Sequence, residues 1–210
     1  MRHNKLHVNK QLTLGIIIPV YNEEHYIRSC LDSIAQQSVM PDEVIVVDNN
    51  STDGTIEKLA EYKAQHPDYN FRFYTEPNQG VAYTRTRCAT EARGEIIAYL
   101  DDDSTAEPGW LSSIVSFFDE HPEVWSLGGK ITPRFLTGIP DWYSKYFFGL
   151  VGNFDQGPRV KQLTGARYPC GANMAFRKRV FEDIGYFNTE LGRKGKGLLA
   201  NEEKDIYLRI

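Results

Sequence analysis

Three short runs of apolar residues constrain the fold of this chain more than any other feature of its sequence. They lie at residues 14–18, 44–47 and 96–100, and none shows the alternation of polar and apolar residues that a half-exposed strand has. Continuous β-branched runs of this length are typical of strands buried on both faces of a parallel sheet. A fourth strand, at residues 71–74, alternates more and is expected nearer an edge.

Helical patterns separate these strands. The expected helices lie at about residues 22–34, 53–60, 80–92 and 108–118. In the first, apolar residues recur at i, i+3, i+4 and i+7 from Ile27, and Asn22 is the expected N-cap. Strands that alternate with helices predict the α/β class, with a doubly wound, mostly parallel sheet and helices on both faces. Further strands are expected at residues 124–132 and 172–176, and a helix from about residue 201.

The composition of the chain argues against nucleic-acid binding, against disulfide bonds and against a membrane-spanning helix. The chain has 210 residues, a net charge of -4 and 41% hydrophobic residues, so it can bury a core without disulfides and offers no support for nucleic-acid binding. Its three cysteines are widely spaced and are expected to be reduced thiols in the cytosol. Residues 1–11 lack the apolar segment of a secretory signal, and no stretch approaches the ~20 apolar residues of a membrane helix.

The densest aromatic segment lies at residues 142–154. It is too short and too interrupted to span a bilayer. We expect it to form a packed lid or wall, with Trp142 in the core. The alternative is a peripheral contact with a membrane or with a lipid-linked acceptor.

Each buried apolar run is followed directly by a cluster of mostly polar and acidic residues. The residues that follow the three runs are Pro19, Tyr21, Asn22 and Glu23, then Asp48, Asn49 and Asn50, then Asp101, Asp102 and Asp103. In an open α/β sheet, ligands bind beyond the carboxyl ends of the strands. The sequence therefore predicts a binding site at this edge of the sheet.

Three successive aspartates at one strand end repel one another unless something neutralises them. Mg²⁺ or Mn²⁺, which are hard cations that prefer oxygen ligands, would do so while keeping waters and bridging to substrate phosphates. The alternative is a solvated acidic turn that caps the following helix, since Asp, Ser104 and Thr105 all favour caps. The neighbouring strand-end clusters favour the metal.

Five motifs follow one another along almost the whole chain, from Leu14 to the last residue. They occupy residues 18–23 (IPVYNE), 47–55 (VDNNSTDGT), 78–80 (NQG) with Arg85, 100–103 (LDDD) and 201–205 (NEEKD). In this order they resemble the inverting glycosyltransferases of family 2, which have the GT-A fold. Any one of the motifs would be a weak signal, but five in the family's order form a strong one.

The resemblance implies a GT-A (Rossmann-like) α/β fold of the nucleotide-diphospho-sugar transferase type. Residues 1–12 would be a tail, 13–105 the half that binds the nucleotide sugar, and 106–210 the half that binds the acceptor, with more chain expected after Ile210. The implied activity is metal-dependent, inverting transfer from a nucleoside-diphosphate sugar, most often a uridine one, to an acceptor hydroxyl. The implied acceptor is a glycan or a lipid-linked molecule, and the implied location is the cytoplasm, including the inner face of the membrane.

The resemblance also assigns roles to residues at the strand ends. Pro19, Tyr21 and Glu23 look like the loop that lines the base and ribose of the nucleotide. Asp48 looks like the carboxylate that binds the base, and Arg85 like a cation near the base and diphosphate.

The third strand end would provide the metal site of the family. Asp103 looks like the direct metal ligand, and Asp101 like its partner, close to the donor's ribose or sugar. The glycine-rich loop at residues 192–197 could fold over the diphosphate or stay solvated. Further implied contacts with donor or acceptor are Asn50, Asn78, Gly80, Asp102 and Asn173.

The last motif departs from the family's pattern, in which Gly-Glu-Asp is common and the final Asp is the base. Here Asn201 precedes Glu202 and Glu203, so Glu203 takes the base position with a side chain one methylene longer. Glu202 remains an alternative base. Both acids could instead only complement the dipole of the helix that begins there.

Two other functions are weighed against transfer. The domain could bind nucleotide sugars without transferring them. It could also be a phosphoryl-transfer or phosphatase domain, but no lysine suited to that chemistry follows a strand and no glycine-rich phosphate loop is present in the sequence.

Overall fold

The computed structural model describes residues 12–165, 167–194, 197 and 199–210, without the side chains of Lys145 and Leu150. Within these residues the chain forms a six-stranded sheet with the order β3-β2-β1-β4-β6-β5. The strands are β1 Leu14–Val20, β2 Glu43–Asp48, β3 Phe71–Thr75, β4 Ile96–Leu100, β5 Ser126–Gly128 and β6 Asn173–Arg177. The first four are parallel, and β6 runs antiparallel to both β4 and β5.

Helices follow the strands in alternation through the first half of the chain. They are α1 Ile27–Ala35, α2 Thr55–Gln65, α3 Val81–Glu91, α4 Trp110–Glu120, α5 Arg179–Ile184 and α6 Glu202–Arg209, with a 3-10 helix at Lys145–Val151. The expected α/β class with a mostly parallel sheet is confirmed.

Both faces of the sheet are covered, which explains why the apolar runs are continuous. Successive side chains of a strand point to opposite faces. Ile16 and Ile18 therefore enter one core and Ile17 the other, and all three are fully buried. Helices α1, α2 and α4 close the first core, and α3, α5 and α6 close the second.

The strand order positions the polar strand ends. β1 lies between β2 and β4, and all three run in the same direction. Their carboxyl ends, which carry the clusters predicted from the sequence, therefore meet at one edge of the sheet. β3 lies at the opposite margin of the sheet from β5, as its more alternating sequence predicts.

Two predicted boundaries are wrong. The first helix begins at Ile27 rather than beside Asn22, because Asn22 has a left-handed φ of 56° and its Oδ1 accepts a hydrogen bond from the backbone N–H of Thr52. The strand expected at residues 124–132 is limited to β5, because its partner β6 begins at Asn173, opposite Leu100, and pairs no further than Gly128.

The prediction that Trp142 packs in a core is also wrong. Its side chain is 58% exposed, and that of Tyr146 is 83% exposed. The rings of this segment contact one another instead, as Trp142 does with Phe147 at 6.0 Å between centroids. A local cluster of aromatic rings that does not reach the sheet leaves much of each ring exposed.

A close backbone approach at the amino end of the sheet gives a test of this packing. A Cβ on Gly94 would lie 2.6 Å from the backbone nitrogen of Gly15 and 2.9 Å from the backbone oxygen of Ile96. We expect Gly94→Ala to lower the free energy of unfolding by about 1–3 kcal/mol, as overpacking does. Denaturant unfolding would measure it. Gly149→Ala is the control, because its Cβ meets no atom within 4 Å, and a loss as large there would contradict the steric explanation.

Candidate active site

A pocket of about 500 Å³ opens at the carboxyl edge of the sheet. The ends of β1 and β4 and the starts of α3 and α6 form its walls. The residues predicted from the sequence that line it are Pro19, Tyr21, Glu23, Gly80, Arg85, Asp101, Asp102, Glu202 and Glu203. Asn49, from the second motif, also lines it, so residues from all five motifs share one cavity, although up to 118 positions separate interacting pairs in the sequence.

A buried ion cluster lies at the centre of this pocket. Arg85, on α3, is 3% exposed, and its Nη1 donates to Glu202 Oε1 at 2.6 Å and to Glu203 Oε1 at 2.8 Å. Its Nη2 lies 3.5 Å from Asp101 Oδ1, at the end of β4. The guanidinium therefore joins α3, α6 and the tip of β4.

Glu202 and Glu203 do more than complement a helix dipole. Both lie in the first turn of α6, where negative charge is favourable. Glu202, however, is only 4% exposed and forms an ion pair with Arg85. A buried charge needs such a partner, whereas an acid that only complements a helix dipole can stay in water. Glu203 is the more accessible of the two, with 20% of its side chain exposed.

The pKa shifts follow from this burial. Burial alone would lower the pKa of Arg85, but Glu203, Asp101 and Glu202 raise it above its usual value, so the guanidinium stays charged. Burial raises the pKa of Glu202, Arg85 opposes the rise and Glu203 adds to it. Arg85 is therefore the group that most strongly opposes the rise in the pKa of Glu202.

The three consecutive aspartates have different partners. Asp101 contacts Arg85, whereas Asp102 Oδ2 accepts the backbone N–H of Tyr21 at 3.1 Å and ties β4 to the end of β1. Asp103 is exposed. Burial raises the pKa of Asp101 despite Arg85, and burial followed by repulsion from Asp101 raises that of Asp102 well above its usual value.

The donor atoms at this edge are suited to a divalent cation. Burial and then the nearby carboxylates of Asp103 and Asp53 raise the pKa of Glu23, which adds a further carboxylate beside Asp103. Carboxylate oxygens are the ligands that Mg²⁺ and Mn²⁺ prefer. Within the described ranges no three His, Cys, Asp or Glu side chains converge closely enough to hold a metal alone. The residues fit a cation that takes its other ligands from a diphosphate and water.

Asn49 is a residue of the site that sequence reasoning did not select. It is 5% exposed, its Nδ2 donates to the backbone oxygens of Glu76 and Asn78, and its Oδ1 accepts the N–H of Gly80 at 2.7 Å. It thereby fixes the loop that leads into α3 and lines the pocket. Its position in the polar cluster after β2 was the available signal. The other lining residues that were missed include Gln79, Thr84 and Arg193.

Several predicted residues lie outside the pocket lining. Asp48 is 1% exposed, and its carboxylate accepts the backbone N–H of Ser51. Asn50 is exposed with a left-handed φ of 61°. Asn78 is exposed, and its N–H groups donate to Glu76 Oε1. Asp103 also lies beyond the lining. In this structure Asp48 stabilises the turn after β2, and Asn78 stabilises the loop between β3 and α3.

Asn173 belongs to a second, neighbouring cleft. Its Oδ1 accepts the indole N–H of Trp110 at 2.9 Å, and its Nδ2 donates to the backbone oxygen of Lys130. The strip of chain just before it separates the two cavities. There a Cβ on Gly171 would lie 2.1 Å from Arg85 Nη2 and 2.4 Å from Glu203 Oε1, so the ion cluster packs directly on a bare backbone.

The glycine-rich segment lies beside the pocket. The backbone oxygen of Arg193 accepts the N–H of Val81, and Lys194 Nζ lies 5.2 Å from the centre of the Tyr83 ring. These contacts place the segment across the start of α3. Residues 195, 196 and 198 lie outside the described part of the chain.

Comparison with known proteins agrees with this geometry. The sequence model described as glycosyl transferase family 2 matches residues 15–185. The glucosyl-dolichyl phosphate glucuronosyltransferase of Haloferax volcanii is 27% identical over 203 residues, which cover 95% of this chain and 63% of that protein. The chain therefore spans less than two thirds of this relative's length.

Solved structures share the fold. S. aureus TarS 1-349 in complex with UDP-GlcNAc is 26% identical with a TM-score of 0.68, and the match covers 94% of this chain and 53% of that one. The mannosyltransferase PcManGT of Pyrobaculum calidifontis, in complex with GDP-Man and Mn2+, is 24% identical with a TM-score of 0.66, over 89% and 50% of the chains. Both are GT-A glycosyltransferases, which confirms the fold expected from the motifs. No helix in the described residues is long and apolar enough to cross a membrane.

The ion cluster predicts a stability loss that depends on pH. Arg85→Met removes the shared partner of three carboxylates, and breaking a buried pair in this way costs roughly 3–5 kcal/mol. Without Arg85 the pKa of Glu202, already above its usual 4.5, rises further. The folded protein then binds a proton that the unfolded chain releases, so stability falls as pH rises through this window. We expect the loss to be larger at pH 8 than at pH 5 in denaturant unfolding.

Arg87→Met is the matched control, because Arg87 lies on the same helix in a partly exposed pair with Glu91. Its loss should be about 0.2–1 kcal/mol and almost independent of pH. Equal losses for the two variants, or a loss for Arg85→Met that does not change with pH, would contradict the role given to the cluster.

Proposed function

The chain belongs to glycosyl transferase family 2, and we propose that it transfers a sugar from a nucleoside-diphosphate sugar to an acceptor hydroxyl, with inversion and with a divalent metal. The observation that carries this proposal is the shared pocket of the carboxylates at the end of β4 and the carboxylates at the start of α6. One set suits the cation of a diphosphate, and the other suits a general base. Asp101 of the first set and Glu203 of the second contact the same guanidinium, so a cation and a base would lie close together, as transfer requires.

Glu203 is the base in this proposal. It is the more accessible of the two adjacent acids, and it faces the same pocket as Asp101. It would accept the proton of the attacking hydroxyl, a step that typically contributes about 10²–10⁴-fold in rate. Because a single base acts from the face opposite the leaving group, the reaction proceeds in one step and inverts the anomeric carbon.

Glu202 and Arg85 are positioning residues in the same scheme. Arg85 donates hydrogen bonds to both glutamates, and its bond to the buried Glu202 restricts rotation of the guanidinium. This fixes where the carboxylate of Glu203 lies relative to the donor. The family resemblance placed Arg85 at the diphosphate, but its three carboxylate partners favour the positioning role.

The metal would be held by Asp103, with Asp101 beside it. When bound, Mn²⁺ or Mg²⁺ would stabilise the negative charge that develops on the leaving diphosphate. Asp103 is exposed, and the bond it accepts from the adjacent Ser104 hydroxyl at 3.4 Å leaves its other carboxylate oxygen open to a ligand. Asp101 would keep its contact with Arg85 and link the metal side of the pocket to the base.

The donor is proposed to carry uridine. Support comes from TarS, which is 26% identical and was solved with UDP and with UDP-GlcNAc. Pro19, Tyr21 and Glu23 would contact the nucleotide, since they line the pocket on the side of β1. Asp48, Asn50 and Asn78 would act from beside the pocket, and Gly80 would allow close approach of the diphosphate.

The acceptor is proposed to be a glycan or a lipid-linked molecule, and the setting the cytoplasmic side of a membrane. The relative from Haloferax volcanii is named for a glucosyl-dolichyl phosphate acceptor, which supports this class. The exposed aromatic residues Trp142 and Tyr146 would suit a peripheral contact with lipid.

Glu203→Gln separates transfer from binding alone. We expect release of nucleoside diphosphate from a uridine-diphosphate sugar to fall about 10²–10⁴-fold, because the base is lost. Affinity for the donor should change by no more than a few fold. Steady-state turnover and equilibrium binding would measure the two effects.

Glu202→Gln is the comparison for this test. It should reduce stability more than turnover, because Glu202 is buried against Arg85. If turnover collapsed in Glu202→Gln and not in Glu203→Gln, Glu202 would be the base and Glu203 the positioning residue. Donor binding without turnover in the unaltered protein would favour a nucleotide-sugar-binding domain instead.

Metal dependence can be tested by thermal shift with UDP and GDP, each with and without Mn²⁺. A ligand that binds only the folded state stabilises it by about 2.7 kcal/mol at 100 times its Kd. We expect stabilisation by UDP to increase with Mn²⁺, and Asp103→Asn to remove that increase. Asp119→Asn, an exposed carboxylate on α4, is the control. An increase that survives Asp103→Asn would remove Asp103 from the metal site.

A further inference from the structure

Four buried polar side-chain atoms have no hydrogen-bond partner among the described residues. They are the hydroxyls of Tyr62, Tyr69 and Tyr207 and the Nε–H of Arg85. A buried polar group without a partner is costly, and each one in a folded protein needs an explanation. Tyr62 and Tyr69 line neither cavity. Arg85 and Tyr207, in contrast, belong to the ion cluster and to the helix that carries the proposed base.

The ring of Tyr207 is fixed by aromatic packing. It stacks on Phe176 of β6, with 5.5 Å between ring centres, and on Tyr168, with 6.3 Å. The ring also lines the second cleft, to which Asn173 belongs and whose volume is about 1030 Å³. The hydroxyl itself is buried. It is therefore directed into the protein and away from any molecule in that cleft.

The buried hydroxyl lies on the side of α6 that carries Glu203. Glu203 and Tyr207 are four residues apart in one helix, and side chains at this spacing are neighbours on the helix surface. The same strip of chain covers both, since Tyr168 stacks on Tyr207 and a Cβ on Gly171 would lie 2.4 Å from Glu203 Oε1. Burial and then the charge of Glu203 raise the pKa of Tyr207 well above its usual value, so the hydroxyl keeps its proton and can donate it in a hydrogen bond.

The packing in this structure does not require a hydroxyl at position 207. A phenylalanine there would keep both ring contacts and would bury no unpaired oxygen. Local features that cost stability without a gain in packing are expected at functional sites. Glu203 is the nearest candidate acceptor, because 20% of its side chain is exposed, against 5% for Glu202, which leaves it freer to turn.

We propose that Tyr207 is a positioning residue for the base, and that its hydroxyl donates a hydrogen bond to the carboxylate of Glu203 when donor and acceptor are bound. The inference rests on the proposed function and adds a residue to it. Arg85 and Tyr207 together would fix the carboxylate so that it faces the acceptor. The acceptor oxygen then bonds to the anomeric carbon and its proton passes to Glu203. Tyr207 keeps its own proton, and the nucleoside diphosphate leaves with the electron pair.

Tyr207→Phe tests this role, because it removes the hydroxyl and keeps the ring. With the uridine-diphosphate sugar that the unaltered protein turns over, we expect kcat to fall about tenfold or more, since misplacement of a catalytic group can cost about 10²-fold. Equilibrium binding of UDP with Mn²⁺ should change by less than about twofold, because the hydroxyl lies outside the donor pocket. The midpoint of denaturant unfolding should stay the same or rise, because an unpaired buried hydroxyl is lost. A tyrosine with a merely structural role would give the opposite pattern.

Tyr62→Phe is the matched control. The Tyr62 hydroxyl is also buried and unpaired in the described residues, but its ring packs in the first core, on α2. We expect the same small effect on unfolding and no change in kcat. If Tyr62→Phe slowed turnover as much as Tyr207→Phe does, the effect would not depend on a position beside Glu203, and the proposal would be wrong.

A double variant tests whether the hydroxyl acts through the base. Residues that act as a unit have non-additive effects on rate. Tyr207→Phe/Glu203→Gln should therefore turn over as slowly as Glu203→Gln alone. If the two losses multiplied instead, the hydroxyl would act on another group, and its assignment to Glu203 would be overturned.

The remaining outcomes separate this inference from the proposed function. An unchanged kcat in Tyr207→Phe, or a lower unfolding midpoint, would overturn the inference, since the second result means that the hydroxyl already has a partner. If Glu203→Gln still lost turnover in the same assay, the proposed function would stand without it. Absence of turnover in the unaltered protein would instead contradict the proposed function, and the role of Tyr207 with it.

Discussion

The contact of Arg85 with three carboxylates is the interaction on which the rest of the site depends. One guanidinium, almost fully buried, compensates Glu202 and Glu203 from the last helix and Asp101 from the tip of β4. Removing such charges from water is costly, and only close and well-oriented partners offset that cost. The short α6 is anchored by Ile206, which is fully buried, and by Tyr207, whose ring stacks on Phe176. The ion cluster adds a charged contact to this packing, and the two together position the proposed base.

Asparagines in the motifs shape the backbone around this cluster. Asn22, Asn50 and Asn201 are the non-glycine residues of the described chain with positive φ, and they lie after β1, after β2 and just before α6. Asparagine tolerates this left-handed conformation better than most residues. Parts of the motifs therefore serve to turn the chain at the end of an element, so that neighbouring side chains face the pocket. Asn49, whose φ is ordinary, works by a different route and fixes the loop before α3 through its side-chain amide.

The two cavities differ in charge although they share a wall. The donor pocket is rich in carboxylates, with Arg85 and Arg193 as its cationic lining residues, and the larger cleft is rich in arginine and lysine. The strip of chain at residues 168–173 divides them, and the close approach of Gly171 to Glu203 makes that division thin.

The sequence determined the fold class and the edge of the sheet at which the site lies. Continuous β-branched runs of this length fit strands with both faces buried, and the polar residues after 18, 47 and 100 mark the ends of those strands. The sequence could not determine which of these residues face the cavity. Asp48 lies at the end of β2 much as Asp101 lies at the end of β4, yet its carboxylate binds the backbone N–H of Ser51 outside the pocket lining. Nor could it show that Arg85 is held by residues more than a hundred positions away, or that a second, basic cleft lies beside Glu203. Local patterns report burial and chain direction, whereas the direction of a side chain and its charge partner depend on contacts that exist only when distant segments pack together.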